Sequence, residues 1–171
     1  MFKLIKIKQR DDIKIERFCE LAKPLYIEYY TPLIAEVGVA ELLNFLKIKI
    51  IKQEIKNNIY EYFLIEFEDR YVGILVLQTQ ENVLHISKIF ILKRYRKKGI
   101  FKNTIEELLK MLDEKGLSEL KICVAKDDRK LPVIVSKLNF KKQKQIARYF
   151  GNNIYLYEDI YTQKYKNLLI T

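Results

Sequence analysis

Apolar and charged residues alternate at the start of the chain and then change to a spacing of three or four. From Phe2 to Ile7 the apolar residues alternate with lysines, which is typical of a strand with one buried face. Helical spacing follows, and it predicts a first helix that ends near Tyr30, before Thr31-Pro32. A second helix is predicted from Val39 to about Lys56. Its apolar residues share one stripe: Leu42, Leu43, Leu46 and Ile50.

Three consecutive strands are predicted next. Tyr60–Phe67 and Tyr71–Leu77 flank the polar residues 68–70, which predict a tight turn and make the pair a hairpin. Val83–Leu92 is rich in Ile, Leu and Phe, a composition typical of a strand buried on both faces, in the middle of a sheet. After Gly99 helical spacing returns and predicts a helix that ends near Lys115. Its apolar stripe is Ile105, Leu108, Leu109 and Leu112.

The rest of the chain predicts three more strands and one more helix. They are a strand at Leu117–Ala125, a short helix at Arg129–Lys137, and a closing pair of strands, Phe140–Phe150 and Ile154–Lys164, around Gly151-Asn152-Asn153. The order of elements is therefore β, α, α, β, β, β, α, β, α, β, β. No repeat and no linker rich in Pro, Gly or Ser divides the sequence, so residues 1–171 are predicted to form one domain.

A basic turn separates the central strand from the helix that follows it. Where a strand passes into a helix, the first helical N–H groups have no internal partner, and with the helix dipole they favour an anion. Side-chain cations surround these groups in the sequence: Arg94, Arg96, Lys97, Lys98 and Lys102. A pyrophosphate would fit this turn, and a merely solvated basic turn is the alternative.

Charge and cysteine content narrow the function classes. The formal charge is +10, but the 32 basic residues are spread along the chain, so nucleic-acid binding remains only an alternative. Cys19 and Cys123 occupy apolar positions and are expected to be small buried residues rather than a disulfide or a metal pair. With one histidine and no cysteine cluster, no bound metal is expected. No apolar run approaches the roughly 20 residues that span a bilayer, and we expect a soluble, cytoplasmic protein.

Two segments carry a family resemblance. The basic turn resembles motif A of the GNAT superfamily of N-acetyltransferases, Gln/Arg-x-x-Gly-x-Gly/Ala, with Phe101 in place of the last small residue. The segment DDRKLPVIVSKLNF resembles the Asn-x-x-Ala-x-x-x-Tyr-x-Lys-x-Gly-Phe segment of that family. There Asp128 stands for the Asn and Val135 for the Tyr, while Lys137 and Phe140 match. The segments EYYTPLI and YEDIYTQK further resemble the PaiA-like spermidine/spermine acetyltransferase branch.

The resemblance implies a fold and a cosubstrate. The fold is α/β (α+β), a single GNAT-like domain with a mixed, mostly antiparallel central sheet of about seven strands flanked by about four helices. The cosubstrate is acetyl-CoA, whose pantetheine would pair with free main-chain groups where the central strand splays from the next one. Its diphosphate would bind the basic turn. The implied cofactor contacts are Ile89, Phe90, Ile91, Arg96, Lys97, Lys98, Gly99, Ile100, Phe101, Lys102 and Asp128.

The implied activity is acetyl transfer to a primary amine of a small molecule, with a polyamine as one candidate, by direct attack in a ternary complex. Val135 removes the usual tyrosine acid, and the bulky Phe101 must turn its ring away from the phosphates. These two departures keep a non-catalytic CoA-binding module as the alternative. The acceptor, and whether the chain forms a homodimer, are left open.

Candidate catalytic residues follow from the amine chemistry. His85, the only histidine, lies eleven residues before Arg96 and would act as base with an ordinary pKa near 6.5; a packed strand histidine is the alternative. Glu158 is another candidate base, and Tyr149 from the closing hairpin could serve as acid.

Candidate substrate contacts lie near both ends of the chain. Glu28 and Tyr30 precede Thr31-Pro32, and packing at a helix end is the alternative explanation for them. Asp159 could hold a cationic amine. Because neighbouring strand residues face opposite sides, at most one of Glu158 and Asp159 points into the cleft.

Overall fold

The computed structural model describes residues 1–149 and 155–164. Within them lie seven strands and five α-helices, and a 3₁₀ turn at Lys93–Tyr95. In chain order they are β1 Phe2–Lys6, α1 Asp12–Tyr30, α2 Glu36–Asn44, α3 Ile48–Lys56, β2 Glu61–Phe67, β3 Arg70–Gln80, β4 Val83–Ile91, α4 Ile100–Glu114, β5 Glu119–Ala125, α5 Leu131–Lys137, β6 Lys141–Tyr149 and β7 Tyr155–Lys164. The turn predicted at Gly151-Asn152-Asn153 lies outside the described residues.

The seven strands form one sheet in the order β1-β2-β3-β4-β5-β7-β6. Only β4 and β5 pair in parallel, and every other pair of neighbouring strands in these residues is antiparallel. The predicted mixed, mostly antiparallel sheet is therefore confirmed. The β2–β3 hairpin is also confirmed. Its turn residues Glu68 and Asp69 both have positive φ, 51° and 57°, a turn geometry that matches the twist of the flanking strands.

Helices cover both faces of the sheet and bury one core on each. The α1-side core lies under α1, α2 and α3, and includes Phe18, Ile51, Leu64 and Ile74. The α4-side core lies under α4 and α5, and includes Ile86, Leu108, Ile122 and Val135. The strands β2, β3, β4 and β5 contribute to both cores, which explains their apolar composition.

The second predicted helix is two helices, so the expected count of about four is one short. The N–H groups of Phe45 and Leu46 bond three residues back, to Leu42 and Leu43, at 3.2 and 3.1 Å, and close α2. Lys47 then adopts extended backbone, with φ −93° and ψ 133°, before α3 begins. Apolar spacing continues across this break, so the pattern alone predicted one helix.

None of the helices in residues 1–149 and 155–164 is both long and apolar enough to cross a bilayer.

Candidate active site

β4 and β5 separate halfway along their length. Their parallel pairing runs from Val83 and Glu119 to Ile86 and Ile122, and ends there in the part of the chain that the structure describes. At this point β4 has a bulge. Ile86 and Lys88 pair with consecutive residues of β3, and Ser87 between them is the inserted residue of the bulge. Beyond the bulge β4 stays with β3, while β5 continues with β7. A wedge-shaped opening therefore forms between β4 and β5, as the resemblance implied.

The β4 side of this opening presents main-chain groups. The N–H of Leu92 donates to the carbonyl of Val72 at 2.9 Å, so these two residues form a hydrogen-bonded pair of the β3–β4 ladder. Such pairs alternate along antiparallel strands, so Phe90 also directs its N–H and C=O to β3. Ile89 and Ile91 then direct theirs toward the opening. Of the three β4 residues predicted to contact the cofactor, Ile89 and Ile91 are the two with main-chain groups in the right direction.

The turn after β4 has the geometry of an anion site. Gly99 precedes α4 with φ 78°, and Lys97 also has positive φ, 65°. The first main-chain bond of α4 runs from the N–H of Asn103 to the carbonyl of Gly99 at 2.9 Å, and no side chain caps this end. The N–H groups of residues 100–102 therefore lack helical partners. A Cβ added at Gly99 would meet no atom within 4 Å, so the space beside Gly99 is open.

Arg96 connects this turn to α1. Its Nη1 lies 2.7 Å from Oε1 of Glu28, and its Nε donates to the carbonyl of Ile91 at 2.9 Å. The structure thus pairs a predicted substrate contact, Glu28, with a predicted cofactor contact. Both side chains remain about half exposed, at 45% each, so the pair is accessible to a ligand at the turn.

The other residues of the turn divide between solvent and core. Lys98 places Nζ 5.4 Å from the centre of the Tyr95 ring, and Lys102 pairs loosely with Glu106 at 3.6 Å. Phe101 is half-buried and packs against the α4-side core. Its ring therefore turns inward, the orientation that a phosphate-binding turn requires.

Aromatic residues at the end of α1 cover the α1-side face of β4, opposite the α4-side core. The ring of Phe90 lies 5.4, 5.1 and 6.1 Å from the rings of Tyr26, Tyr29 and Tyr30. Tyr30, a predicted substrate contact, is only 3% exposed, and burial raises the pKa of its hydroxyl well above the ordinary value. The alternative explanation of Tyr30, packing at a helix end, describes its surroundings better. Lys88 lies beside this group, with Nζ 5.9 Å from the centre of the Tyr30 ring.

Five side chains form what we call the charged cluster on the same face, beside the opening: His85, Lys88, Cys123, Arg148 and Glu158. The Nε of Arg148 lies 2.8 Å from Oε2 of Glu158, which is 6% exposed. His85 is 9% exposed, with Nε2 3.5 Å from Sγ of Cys123. The five side chains come from four strands, β4, β5, β6 and β7, and include two predicted catalytic residues, His85 and Glu158.

The ordinary pKa expected for His85 is wrong. Burial lowers it most, and the charges of Lys121, Arg148 and Lys88 lower it further, to about 3. Burial and the charge of Arg148 likewise lower the pKa of Lys88 to about 8, against the opposing charge of Glu158. Burial is the larger cause of both shifts, and the neighbouring cations add to it, so burial and the net positive charge of the cluster both disfavour a further cation.

Comparison with known proteins identifies the fold. The sequence profile described as acetyltransferase (GNAT) domain matches residues 30–146, more than half of the chain. The chain belongs to the GNAT acetyltransferase family. Comparison with curated proteins finds no match. Among the described residues no group of three or more His, Cys, Asp or Glu side chains could hold a metal ion.

Solved GNAT structures share this architecture at low sequence identity. The PaiA N-acetyltransferase of Thermoplasma acidophilum, in complex with coenzyme A, superimposes with TM-score 0.76 and 17% identity over 96% of this chain and 99% of its own. The spermidine/spermine N-acetyltransferase SpeG of Vibrio cholerae, solved in two mutant forms, superimposes with TM-score 0.69 and 14% identity, over 96% of this chain and 94% of its own. A GNAT acetyltransferase of Elizabethkingia anophelis with acetyl-CoA bound superimposes with TM-score 0.56 and 13% identity, over 69% of this chain and 83% of its own. These likenesses confirm the predicted fold.

Three predicted site residues lie apart from the charged cluster or are already engaged. Asp159 follows Glu158 and faces the other side of β7, where Nζ of Lys142 lies 2.6 Å away. Tyr149 follows Arg148 on β6, also faces away, and is 58% exposed. Asp128 accepts hydrogen bonds through Oδ1 from two N–H groups at the start of α5, at 2.8 and 3.0 Å, so its carboxylate caps that helix.

Sequence reasoning missed Lys88, Cys123 and Arg148. On β5, strand alternation places Cys123 and Lys121 on one face. On β4, alternation alone would place Lys88 and His85 on opposite faces, and the bulge at Ser87 brings them to the same face. The pairing of β6 with β7, which brings Arg148 to Glu158, is a long-range contact with no local signal. Val135, at the position of the family tyrosine, is fully buried in the α4-side core.

Proposed function

We propose that this GNAT protein is an acetyl-CoA-dependent N-acetyltransferase that acts on the primary amine of a small molecule, by direct attack in a ternary complex. One observation carries the proposal. The opening between β4 and β5 leads directly to the uncapped start of α4, so a free strand edge and an anion site lie in line. A long ligand with a polar chain and a diphosphate matches both.

The residues present fit coenzyme A. The N–H groups of residues 100–102, with Lys97 and Lys98 beside them, would hold the diphosphate. The N–H and C=O of Ile89 and the N–H of Ile91 would pair with the amides of the pantetheine arm, while the carbonyl of Ile91 already accepts from Nε of Arg96. Acetyl-CoA, when bound, supplies an activated acetyl thioester, and the protein orients it and provides for the proton.

The positive potential of the charged cluster supports the chemistry of the amine. An amine must be neutral to attack a carbonyl, and surroundings that lower the pKa of Lys88 to about 8 would lower that of a bound amine as well. The same potential would stabilise the departing thiolate, which reduces the need for the tyrosine that Val135 replaces. We retain Glu158 as the acceptor of the released proton. His85, with a pKa of about 3, acts as a neutral hydrogen-bonding group.

The alternative is a GNAT module that binds CoA without turnover. The buried Val135 favours it, because the family position for a proton donor carries no hydroxyl and faces the core. Tyr149, the residue predicted to substitute, faces away from the charged cluster.

Thermal unfolding with and without acetyl-CoA tests cofactor binding, and thiol release with a panel of amines tests turnover. At a hundredfold excess over Kd, acetyl-CoA is expected to stabilise the fold by about 3 kcal/mol, which raises Tm by at least about 5 °C. No shift at millimolar acetyl-CoA would refute both readings. A clear shift with no thiol release from any amine would favour the non-catalytic module.

A further inference from the structure

The charged cluster has an excess of positive charge. We infer, on the basis of the proposed function, that the preferred acceptor is an amine that also carries an anionic group such as a carboxylate. Lys88 from β4 and Arg148 from β6 face the opening with Glu158 from β7, and Lys121 adds its charge from β5. A polyamine brings further cations to this place, whereas an amino acid brings a compensating anion.

Three acidic groups predicted to lie at the site already have partners. Glu158 is held by Arg148 at 2.8 Å, and Glu28 by Arg96 at 2.7 Å. Asp128 bonds the start of α5. Binding a polyamine at any of them would compete with an existing ion pair or helix cap, and at the buried Glu158 it would leave Arg148 without its partner, at a cost in free energy.

The neighbouring cations act in one direction on His85 and Lys88, whereas at Cys123 the charge of Glu158 has a larger effect than any single cation. The charges of Arg148, Lys121 and Lys88 all act against protonation of His85, and that of Arg148 acts against protonation of Lys88. Burial is the larger cause in each case, and Glu158 opposes the effect on Lys88. A second positive charge on the acceptor would meet the same repulsion, and a negative charge would be attracted.

Arg148 has the geometry to hold a carboxylate. It contacts Glu158 through Nε, so its two terminal nitrogens can act as a fork for a second carboxylate. Its ion pair with the buried Glu158 restrains the guanidinium, which reduces the entropy lost on binding. Lys88 lies across the opening, half-buried against Tyr30, and provides a second positive charge.

The test compares amino acids with the corresponding amino-acid amides, which lack the anionic group and have a lower amine pKa, and adds spermidine as a polyamine; the change in the acid-to-amide ratio between variants cancels the difference in amine pKa. Thiol release is measured with wild type, Arg148→Gln and Lys144→Gln. Lys144 is an exposed residue of the same strand, so its substitution makes the same charge change away from the cluster. We expect kcat/KM to favour the acid over its amide by about ten- to a hundredfold in wild type and Lys144→Gln.

In Arg148→Gln this ratio should fall toward one, through a higher KM for the acid with the KM for the amide nearly unchanged. If Arg148→Gln does not fold, Lys88→Gln is expected to reduce the ratio in the same sense. A preference of the wild type for spermidine or for the amides would overturn this inference alone. So would an acid-to-amide ratio that is unchanged in both Arg148→Gln and Lys88→Gln. Acetyl-CoA binding without turnover of any of these amines would overturn the proposed function together with it.

Discussion

His85 shows how the environment of one side chain changes its chemistry. As the only histidine in the sequence it was the natural choice for a base at neutral pH. In the fold it is buried between strands, beside Cys123 and near three cations. With a pKa of about 3 the imidazole is neutral at physiological pH, and we propose that it packs and forms a hydrogen bond instead of acting as the base.

This neutral histidine makes stability depend on pH. Its folded pKa of about 3 lies below the ordinary 6.5, so the unfolded state binds the proton first as pH falls. The contribution to stability is complete above pH 6.5 and is lost as pH falls toward 3. Urea unfolding of wild type and His85→Gln at pH 7, 5 and 4 should show wild type losing more stability, by on the order of a few kcal/mol.

Nuclear magnetic resonance offers a direct check, because one histidine gives one imidazole signal. The signal should not titrate between pH 5 and 8. A midpoint near 6.5, or equal pH slopes for wild type and His85→Gln, would show that the imidazole is not desolvated.

At the scale of elements, the start of α4 is the feature on which the proposed binding of acetyl-CoA depends. The left-handed residues Lys97 and Gly99 direct the first N–H groups of the helix outward, and Arg96 ties the turn to Glu28 at the end of α1. A cofactor bound at this turn would therefore contact an element that also covers the charged cluster. The two halves of the site share α1 as a common boundary.

Gly99 and Gly116 provide a matched test of this turn. Both have positive φ, 78° and 63°, and open space at the Cβ position, and they lie at opposite ends of α4. Each substitution by Asp should cost about 1 kcal/mol or more from left-handed strain. Gly99→Asp should also abolish the rise in Tm with acetyl-CoA, because its carboxylate would occupy and repel the anion site. Gly116→Asp should keep that rise.

Loss of the acetyl-CoA response in both glycine variants would point to damage of α4 as a whole. Retention in both would contradict binding of the diphosphate at the start of α4.

At the scale of the whole molecule, one sheet lies between two cores and contributes residues to both. Residues of β2, β3, β4 and β5 alternate between the α1-side core and the α4-side core, so neither core can unfold without exposing the strands that line the other. The described residues of β4 and β5 pair only from Val83 and Glu119 to Ile86 and Ile122, so the sheet is partly open between these two inner strands. We propose on this basis that the chain unfolds as one cooperative unit.

The substitutions Ile51→Ala and Leu108→Ala test this cooperativity, since each truncates a fully buried side chain of a different core. Each should lower the free energy of unfolding by about 2–5 kcal/mol. In both variants, urea unfolding followed by far-ultraviolet circular dichroism and by tyrosine fluorescence should give coincident transitions. The sequence contains no tryptophan, so its 12 tyrosines report the fluorescence. Two separated transitions would indicate independently folding units.

The sequence by itself determined the order of elements, the β2–β3 hairpin and the basic turn before α4, because periodicity, turn residues and glycine act over a few neighbouring positions. It also placed Glu158 and Asp159 on opposite faces, since strand alternation is local. The break between α2 and α3 was missed because the apolar spacing runs through it.

Only the tertiary structure decided the electrostatics of the site. The bulge at Ser87, the pairing of β6 with β7 and the burial of His85 arise from contacts between residues far apart in the chain. These contacts bring Arg148 to Glu158 and Lys88 to His85, and they remove water from around the imidazole. A pKa depends on solvation and on nearby charges, both of which are set by the packed fold, so the residue types alone could not reveal it.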